Sequence, residues 1–557
     1  MSDTTEAMSE TTDHRAAGAA GTASPLSPGS PEAPGPRAGF AERAARLDAG
    51  DPLAGLRDRF LLERPSDGDA AVYLDGNSLG ALPAGVPARI AEVVEHEWGR
   101  LRIRSWTEGG WWQAPERIGD RIAPLVGAAP GQIVVGDSTS VNLYKALVAA
   151  VRIAQEGAPG TLGGSGAAGP AGAPRGAGSA DGAGSADGQV GLPSAPAADG
   201  PLARAGSLPR PAGAGGGGEG SGPPRDEILV DAETFPTDGY IAESAARMTG
   251  CRIRAVPAAE IGAACGPRTA VALVNHVDYR TGRLHDLPGT TAAVHAAGAL
   301  VVWDLCHSAG ALPVGLDAHG VDLAVGCTYK YLNGGPGSPA FLYVRRDLQS
   351  RFDSPLPGWN SHADPFGMAP SYAPADGAVR GRVGTPDILS MLALEAALEV
   401  WDGVAVEDVR AKSLALTDFF LECVAAYVPR GRVECVTPAA HAERGSQVAL
   451  RCEDAEEVMR ELIARGVVGD FRRPDVLRFG FTPLYVGYAD AERAARVLAD
   501  VLAERHPGGG PPGAGGTGGG LPGAGGPGAR DTAADGSHTT PGGSQATPGG
   551  PGTGSGA

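Results

Sequence analysis

Two short segments in the second half of the chain hold side chains that could do covalent chemistry together. The first is Trp303–Gly310 (WDLCHSAG), where an apolar run delivers Asp304, with His307 three residues on. The second is Cys327–Gly337 (CTYKYLNGGPG), where Tyr329 and Lys330 precede a glycine-rich turn. A lysine amine can form a Schiff base with an aldehyde cofactor such as pyridoxal phosphate (PLP). That cofactor also needs a carboxylate beside its ring nitrogen, because an adjacent negative charge favours the protonated ring. Its phosphate needs backbone N–H groups, hydroxyls and a helix N-terminus. Its ring face needs an aromatic or imidazole partner. Lys330, Asp304 and His307 answer the first, second and last of these demands.

Taken singly, each residue has a plainer reading: a surface lysine, a strand-end turn aspartate, a satisfied core histidine. The combination is what is specific. Two further clusters extend it. Phe235-Pro236-Thr237-Asp238 follows a strand, so that Phe235 could stack on a ring and Asp238 reach a ring substituent. Taken alone, Asp238 reads as a helix N-cap. Ser138-Thr139-Ser140 stands at a helix start, where small residues with free N–H groups suit a phosphate; simple capping is the competing reading.

These residues need elements to position them. From about Ala70 to His506, short β-rich runs alternate with amphipathic helices. Strands are expected at 72–74, 133–135, 227–230, 251–256, 269–274, 300–304, 322–325 and 340–344. Helices are expected from Ser140 onward, over 239–248 and near 290–297. This alternation predicts an α/β domain with a mainly parallel sheet, whose ligands sit beyond the carboxyl ends of the strands. Another helix is expected to begin at Thr385-Pro386, with Thr385 as N-cap and Gly403 closing it. Beyond it, strands at 432–436 and 447–451 and helices at 455–465 and 489–505 predict a smaller α+β domain.

Composition bounds the rest. The chain has 87 Gly and 47 Pro, concentrated in three stretches poor in large apolar residues. Such stretches bury too little apolar surface to offset their ordering entropy. The expected organisation is a disordered tail over 1–37, an N-terminal arm and start of the large domain over 38–125, and a PLP-binding large domain over 126–403. The large domain carries a low-complexity insert at about 156–224; a small domain follows over 404–506 and a second disordered tail over 507–557. With 46 Lys+Arg against 64 Asp+Glu, the net charge of -18 argues against a nucleic-acid-binding surface. Seven cysteines without a CxxC pair make a disulfide framework or a zinc site improbable. No metal is expected. The absence of a membrane-length apolar run and of a signal-peptide pattern points to no membrane partner and a cytoplasmic location.

The motifs together resemble kynureninase. They are Tyr73–Gly80 (YLDGNSLG), Ser140–Leu143 (SVNL), Phe235–Asp238 (FPTD), Tyr279–Gly282 (YRTG), the Asp304 and Lys330 segments, Pro357-Gly358-Trp359, and Arg478 with Pro483-Leu484-Tyr485. The resemblance runs from about Ala70 to His506, apart from the insert. A general fold-type-I PLP enzyme would share the Asp/His/Lys pattern but not YLDGNSLG or the Trp359 segment.

The resemblance implies the fold-type-I PLP-dependent transferase-like fold, PLP as cofactor and a homodimer in which both subunits build each site. It implies hydrolysis of kynurenine, or of 3-hydroxykynurenine, to anthranilate or its 3-hydroxy form and alanine, in the kynurenine pathway of tryptophan breakdown. Lys330 would carry the cofactor and move the α-proton, Asp304 hold the pyridine nitrogen, and His307 lie beside the ring. Phe235 would stack, with Asp238 nearby. Thr139, Ser140, Tyr329, Trp359 and Thr385 would line the cofactor site, with Tyr329 as a proton partner. Asn275 occupies a position where the family often has a small hydroxyl residue, and Thr385 one where some members carry Asn. Arg478 would clamp the substrate carboxylate, a task for a planar bidentate cation, and Trp106 would form the aromatic end of the pocket. Cysteine desulfurases share the fold and use a loop cysteine. Cys435 lies in the corresponding region, but its surroundings read as a strand with a buried small residue.

Overall fold

A computed structural model of the chain describes residues 36–62, 71–156 and 223–505. The two tails and the insert expected to be disordered lie outside the described residues, apart from the short ends of these stretches. The described residues form one unit. Seven strands make the main sheet: β2 (Ile133–Val135), β3 (Glu227–Asp231), β4 (Arg252–Val256), β5 (Thr269–Asn275), β6 (Leu300–Asp304), β7 (Leu323–Gly326) and β8 (Phe341–Val344). Their order across the sheet is β2-β8-β7-β6-β5-β3-β4. β8 alone runs against its neighbours, and the pairs from β7 through β6, β5 and β3 to β4 are parallel.

The strands read as nearly continuous apolar runs because both faces of the sheet are covered. Val301 and Trp303 of β6 point into one core and Val302 into the other. The helix Thr139–Glu156 packs Leu143, Leu147 and Val151 on one face, beside Ala242 and Ala246 of the helix Pro236–Thr249. Ile118 and Ile122 of the helix Ala114–Val126 and Val294 of the helix Leu287–Ala296 cover the other. A second sheet joins four strands of the C-terminal part in the antiparallel order β12-β13-β10-β9: β9 (Val433–Cys435), β10 (Gln447–Cys452), β12 (Asp470–Arg472) and β13 (Val476–Gly480). A short parallel pair, β1 (Val72–Tyr73) with β11 (Val467–Val468), ties the N-terminal motif to it. The fold is thus the expected α/β sheet with a smaller antiparallel one.

Two expectations need correction. The helix after Thr385-Pro386 begins at Ile388 with Asp387 as its N-cap residue, so Thr385 lies outside it, exposed. Asp387 keeps a non-helical backbone (φ -76°, ψ 84°), so the first helical residue is Ile388 rather than Pro386. Cys435 does lie in a strand, but it is exposed on β9, which pairs along one side only, at the edge of the small sheet. Among the described residues no helix is long and apolar enough to cross a membrane.

Candidate active site

The parallel sheet brings its functional side chains to one edge. Asn275 ends β5 and Asp304 ends β6, and the two are direct partners in the ladder. Adjacent in-register positions explain why Asn275 Nδ2 donates to Asp304 Oδ2 at 2.9 Å. The same amide nitrogen donates to Asp238 Oδ2 at 2.8 Å. Asp238 arrives from the first turn of the helix Pro236–Thr249, whose N-cap position is Phe235 rather than Asp238. Asn275 Oδ1 accepts from Thr234 Oγ1 at 2.5 Å and from the Phe235 N–H at 3.4 Å. One amide therefore fixes both acids and the loop carrying the candidate stacking ring. Asp304 Oδ1 accepts from the Cys306 N–H at 2.7 Å, which completes its anchoring.

Lys330 leaves β7 through a turn in which Asn333 adopts a left-handed backbone (φ 57°). Its Nζ lies 3.3 Å from His307 Nε2, which is 3.2 Å from the Asn77 carbonyl. Burial and the nearby Lys330 push the His307 imidazole well below its usual pKa, so it is neutral here. Gly80 of the YLDGNSLG motif donates its N–H to the Tyr329 carbonyl at 2.7 Å. A Cβ at Gly80 would come within 2.3 Å of the Lys330 carbonyl, so only glycine lets this loop brace the lysine turn. Tyr329 is half-buried, and desolvation raises its phenol pKa, which keeps its proton in place.

Asp238 and Asp304 place two carboxyl groups around one amide. Burial first, and then Asp304, push the Asp238 carboxyl well above its ordinary value, with Lys330 the cation that opposes the shift. An acid-rich, buried spot beside a lysine amine suits a protonated ring nitrogen. Thr139 Oγ1 lies 3.8 Å from Cys306 Sγ, which puts the N-terminus of the helix Thr139–Glu156 beside the same edge. That helix has no acidic residue in its first turn, as a phosphate site requires. Ser138 Oγ accepts from the Val141 N–H at 3.4 Å, and Ser140 is the next residue of the turn after Thr139. On these grounds the site fits PLP.

Arg478 stands on β13, 1% exposed. Its Nη1 donates to the Tyr279 carbonyl at 2.6 Å, and Tyr279 meets the Phe235 ring edge-on at 5.1 Å between centroids. This links Arg478 to the acid cluster. Trp106 and Trp359 meet each other (5.9 Å, edge-on) within an aromatic group that includes Trp112 and Phe366. Thr385 lines a cavity of about 160 Å3 with Asp137, Lys145 and Arg382. The structure thus gathers Lys330, His307, Asp304, Asn275, Asp238, Phe235 and Thr139, with Arg478 one residue removed. No direct contact ties Trp106, Trp359 or Thr385 to Lys330 within the described chain.

Sequence reading overlooked three participants. Asp470 sits directly across from Arg478 in the β12/β13 ladder, a pairing visible only once Arg473-Pro474-Asp475 is read as a hairpin turn. Lys145, 1% exposed, bonds Asp137 Oδ2 at 2.7 Å and the Gly381 carbonyl at 2.5 Å, and its single signal is a lysine on an otherwise apolar helix face. Ser78 lies in a motif quoted above without a role.

Comparison with known proteins follows the same lines. Residues 409–498 match the family model described as "Kynureninase C-terminal domain". A protein of Deinococcus radiodurans named kynureninase is 44% identical over 464 residues, which is 82% of this chain and 95% of that protein. One of Burkholderia pseudomallei with the same name is 40% identical over 83% of this chain and 95% of its own length. Among solved structures, a cysteine desulfurase of Escherichia coli superposes with a TM-score of 0.58 at 17% identity, covering 81% of this chain and 98% of its own. A C-DES mutant with glycine covalently linked to its PLP cofactor gives 0.57 at 16%, covering 79% and 98%. At such identities these two show the fold alone.

Proposed function

We propose a division of labour among these residues from one premise: the chain belongs to the kynureninase family. It is a PLP-dependent hydrolase. PLP, when bound, supplies an aldehyde for a lysine amine and a ring that withdraws electrons from the substrate's Cα and Cβ. We assign Lys330 Nζ as the amine that holds the cofactor and then shuttles the proton at the substrate Cα. Asp304, fixed by Asn275 and the Cys306 N–H, holds the proton on the ring nitrogen. Asp238, held by the same amide, would reach a ring substituent. Neutral His307 would lie beside the ring without adding charge, and Phe235 would stack on it. The N–H groups and hydroxyls at Thr139 and Ser140 take the phosphate. Arg478 takes the substrate carboxylate, and Tyr329, which keeps its proton, delivers one to the three-carbon product after the Cβ–Cγ bond breaks.

Trp106, Trp359 and Thr385 are assigned to a site completed across a homodimer. The supporting observation is the surface around them: Trp98 is 59% exposed, Ile103 75%, Phe366 69% and Met368 81%, an apolar concentration that a monomer would leave in water. Kynurenine-type amino acids are the substrates. A cytoplasmic, reducing location suits seven free cysteines. The single observation that carries this reading is the Lys330–His307 and Asn275–Asp304–Asp238 geometry at one sheet edge. Replacing Lys330→Ala is expected to abolish both the visible absorbance of the holoenzyme and anthranilate release from L-kynurenine, read by fluorescence. Full activity in that variant would refute the assignment.

A further inference from the structure

The guanidinium of Arg478 has two usable edges, and the structure closes them differently. The side edge is taken by a carboxylate: Nε donates to Asp470 Oδ1 at 2.8 Å, and Nη2 donates to Asp470 Oδ2. The end edge meets two neutral acceptors, the Tyr279 carbonyl from Nη1 at 2.6 Å and Ser78 Oγ from Nη2 at 3.0 Å. Asp470 is itself held. It lies opposite Arg478 in the β12/β13 ladder, and its Oδ2 accepts from Arg472 Nη2 at 2.6 Å and from Ser78 Oγ at 3.0 Å. A carboxylate outcompetes neutral acceptors for a guanidinium, because it brings an opposite charge and can accept two parallel N–H bonds at once. The end edge is therefore where an incoming carboxylate would bind, and the side edge is already committed.

We propose that Asp470 is a positioning residue for substrate recognition: by gripping the side edge of Arg478 it turns the end edge toward the substrate carboxylate. The proposal rests on the assignment of Arg478 made above. A second negative charge near the substrate carboxylate would by itself weaken binding. Arg472 offsets that charge through its bond to Asp470. The two roles of Asp470 therefore have opposite signs, and a measurement can separate them. If orientation dominates, removing the charge weakens substrate binding. If repulsion dominates, removing it tightens binding.

The test uses the PLP holoenzyme with Asp470→Asn and Asp470→Glu. The amide of Asn would turn a donor toward an Arg N–H, and Glu would push the fork outward by one methylene. Both variants are expected to raise KM for L-kynurenine by about tenfold or more while kcat stays within about threefold, the signature of lost binding rather than lost chemistry. Binding of the decarboxylated analogue of L-kynurenine, and the visible absorbance of bound PLP, should not change. A merely structural role would lower binding of both ligands alike, and that outcome would overturn the proposal. So would an unchanged or lower KM in the variant that folds. Arg478→Ala is the control. It raises KM if Arg478 reads the carboxylate, and an unchanged KM there would sink the assignment of Arg478 and this proposal together.

Discussion

Asn275 is the residue on which the acid cluster turns, so Asn275→Ala is the sharpest perturbation of the site. Its Nδ2 donates to Asp238 at 2.8 Å and to Asp304 at 2.9 Å, and its Oδ1 takes the Thr234 hydroxyl at 2.5 Å. A bond to a charged group contributes about 1.5–3 kcal/mol. Asp238 is driven toward its neutral form by burial and by Asp304, so the lower figure applies to its share. Truncation also leaves Thr234 Oγ1 without its acceptor and leaves both acids without the amide donor they share. The expected loss is about 3 kcal/mol in the stability of the cofactor-free protein, read from urea unfolding midpoints at constant slope. Because Asp304 would lose a locked orientation, PLP affinity should also fall by about tenfold, equivalent to about 1.4 kcal/mol, read by absorbance titration. Asn275→Ser restores a single donor and should recover part of both losses. An alanine variant that unfolds at the parental midpoint and binds PLP as tightly would refute the view that this amide organises the site.

Two other outcomes follow from buried charge. Lys145→Met should cost about 3 kcal/mol, at the low end for breaking a buried pair because the Asp137 side chain keeps 30% exposure. It should also weaken PLP binding, since Lys145 ties Asp137, next to the phosphate turn, to the Gly381 carbonyl near Thr385; urea unfolding and PLP titration read the two effects. Asp75 has its pKa raised from 3.8 to about 6, first by burial and then by Asp470. The folded state therefore binds that proton more tightly, and its contribution to stability declines as pH rises from about 4 to about 6 and is level above that. In Asp75→Asn this downward slope should disappear from the pH dependence of the unfolding midpoint; a slope of the same size in both proteins would contradict it.

What was legible in the sequence and what was not divide along a physical line. The strands of the main sheet stood out because burial on both faces makes them apolar throughout, as in Val301-Val302-Trp303. Asp304 was legible by its position at the end of a strand, and Lys330 by its apolar and glycine-rich surroundings. Relations between strands were not. Asn275 reads as an odd substitution along the chain, yet it is the partner of Asp304 across the β5/β6 ladder, where a longer amide can reach a second acid that a hydroxyl could not. Asp470 is likewise unremarkable beside Phe471 and Arg472, and gains its meaning from the hairpin that sets it against Arg478. Thr385 reads as a helix cap because Thr-Pro is favourable there, but the helix starts later and leaves the threonine free on an exposed loop. In each case local propensity gave the element, while cross-strand register supplied the partner. Register is set by turn geometry and by the apolar pattern of whole strands, so no single residue reveals its cross-strand partner. The chemistry of this site accordingly lies in pairs, Asn275 with two acids and Arg478 with Asp470, and variants that keep a residue's charge while displacing its partner are the ones that should reveal it.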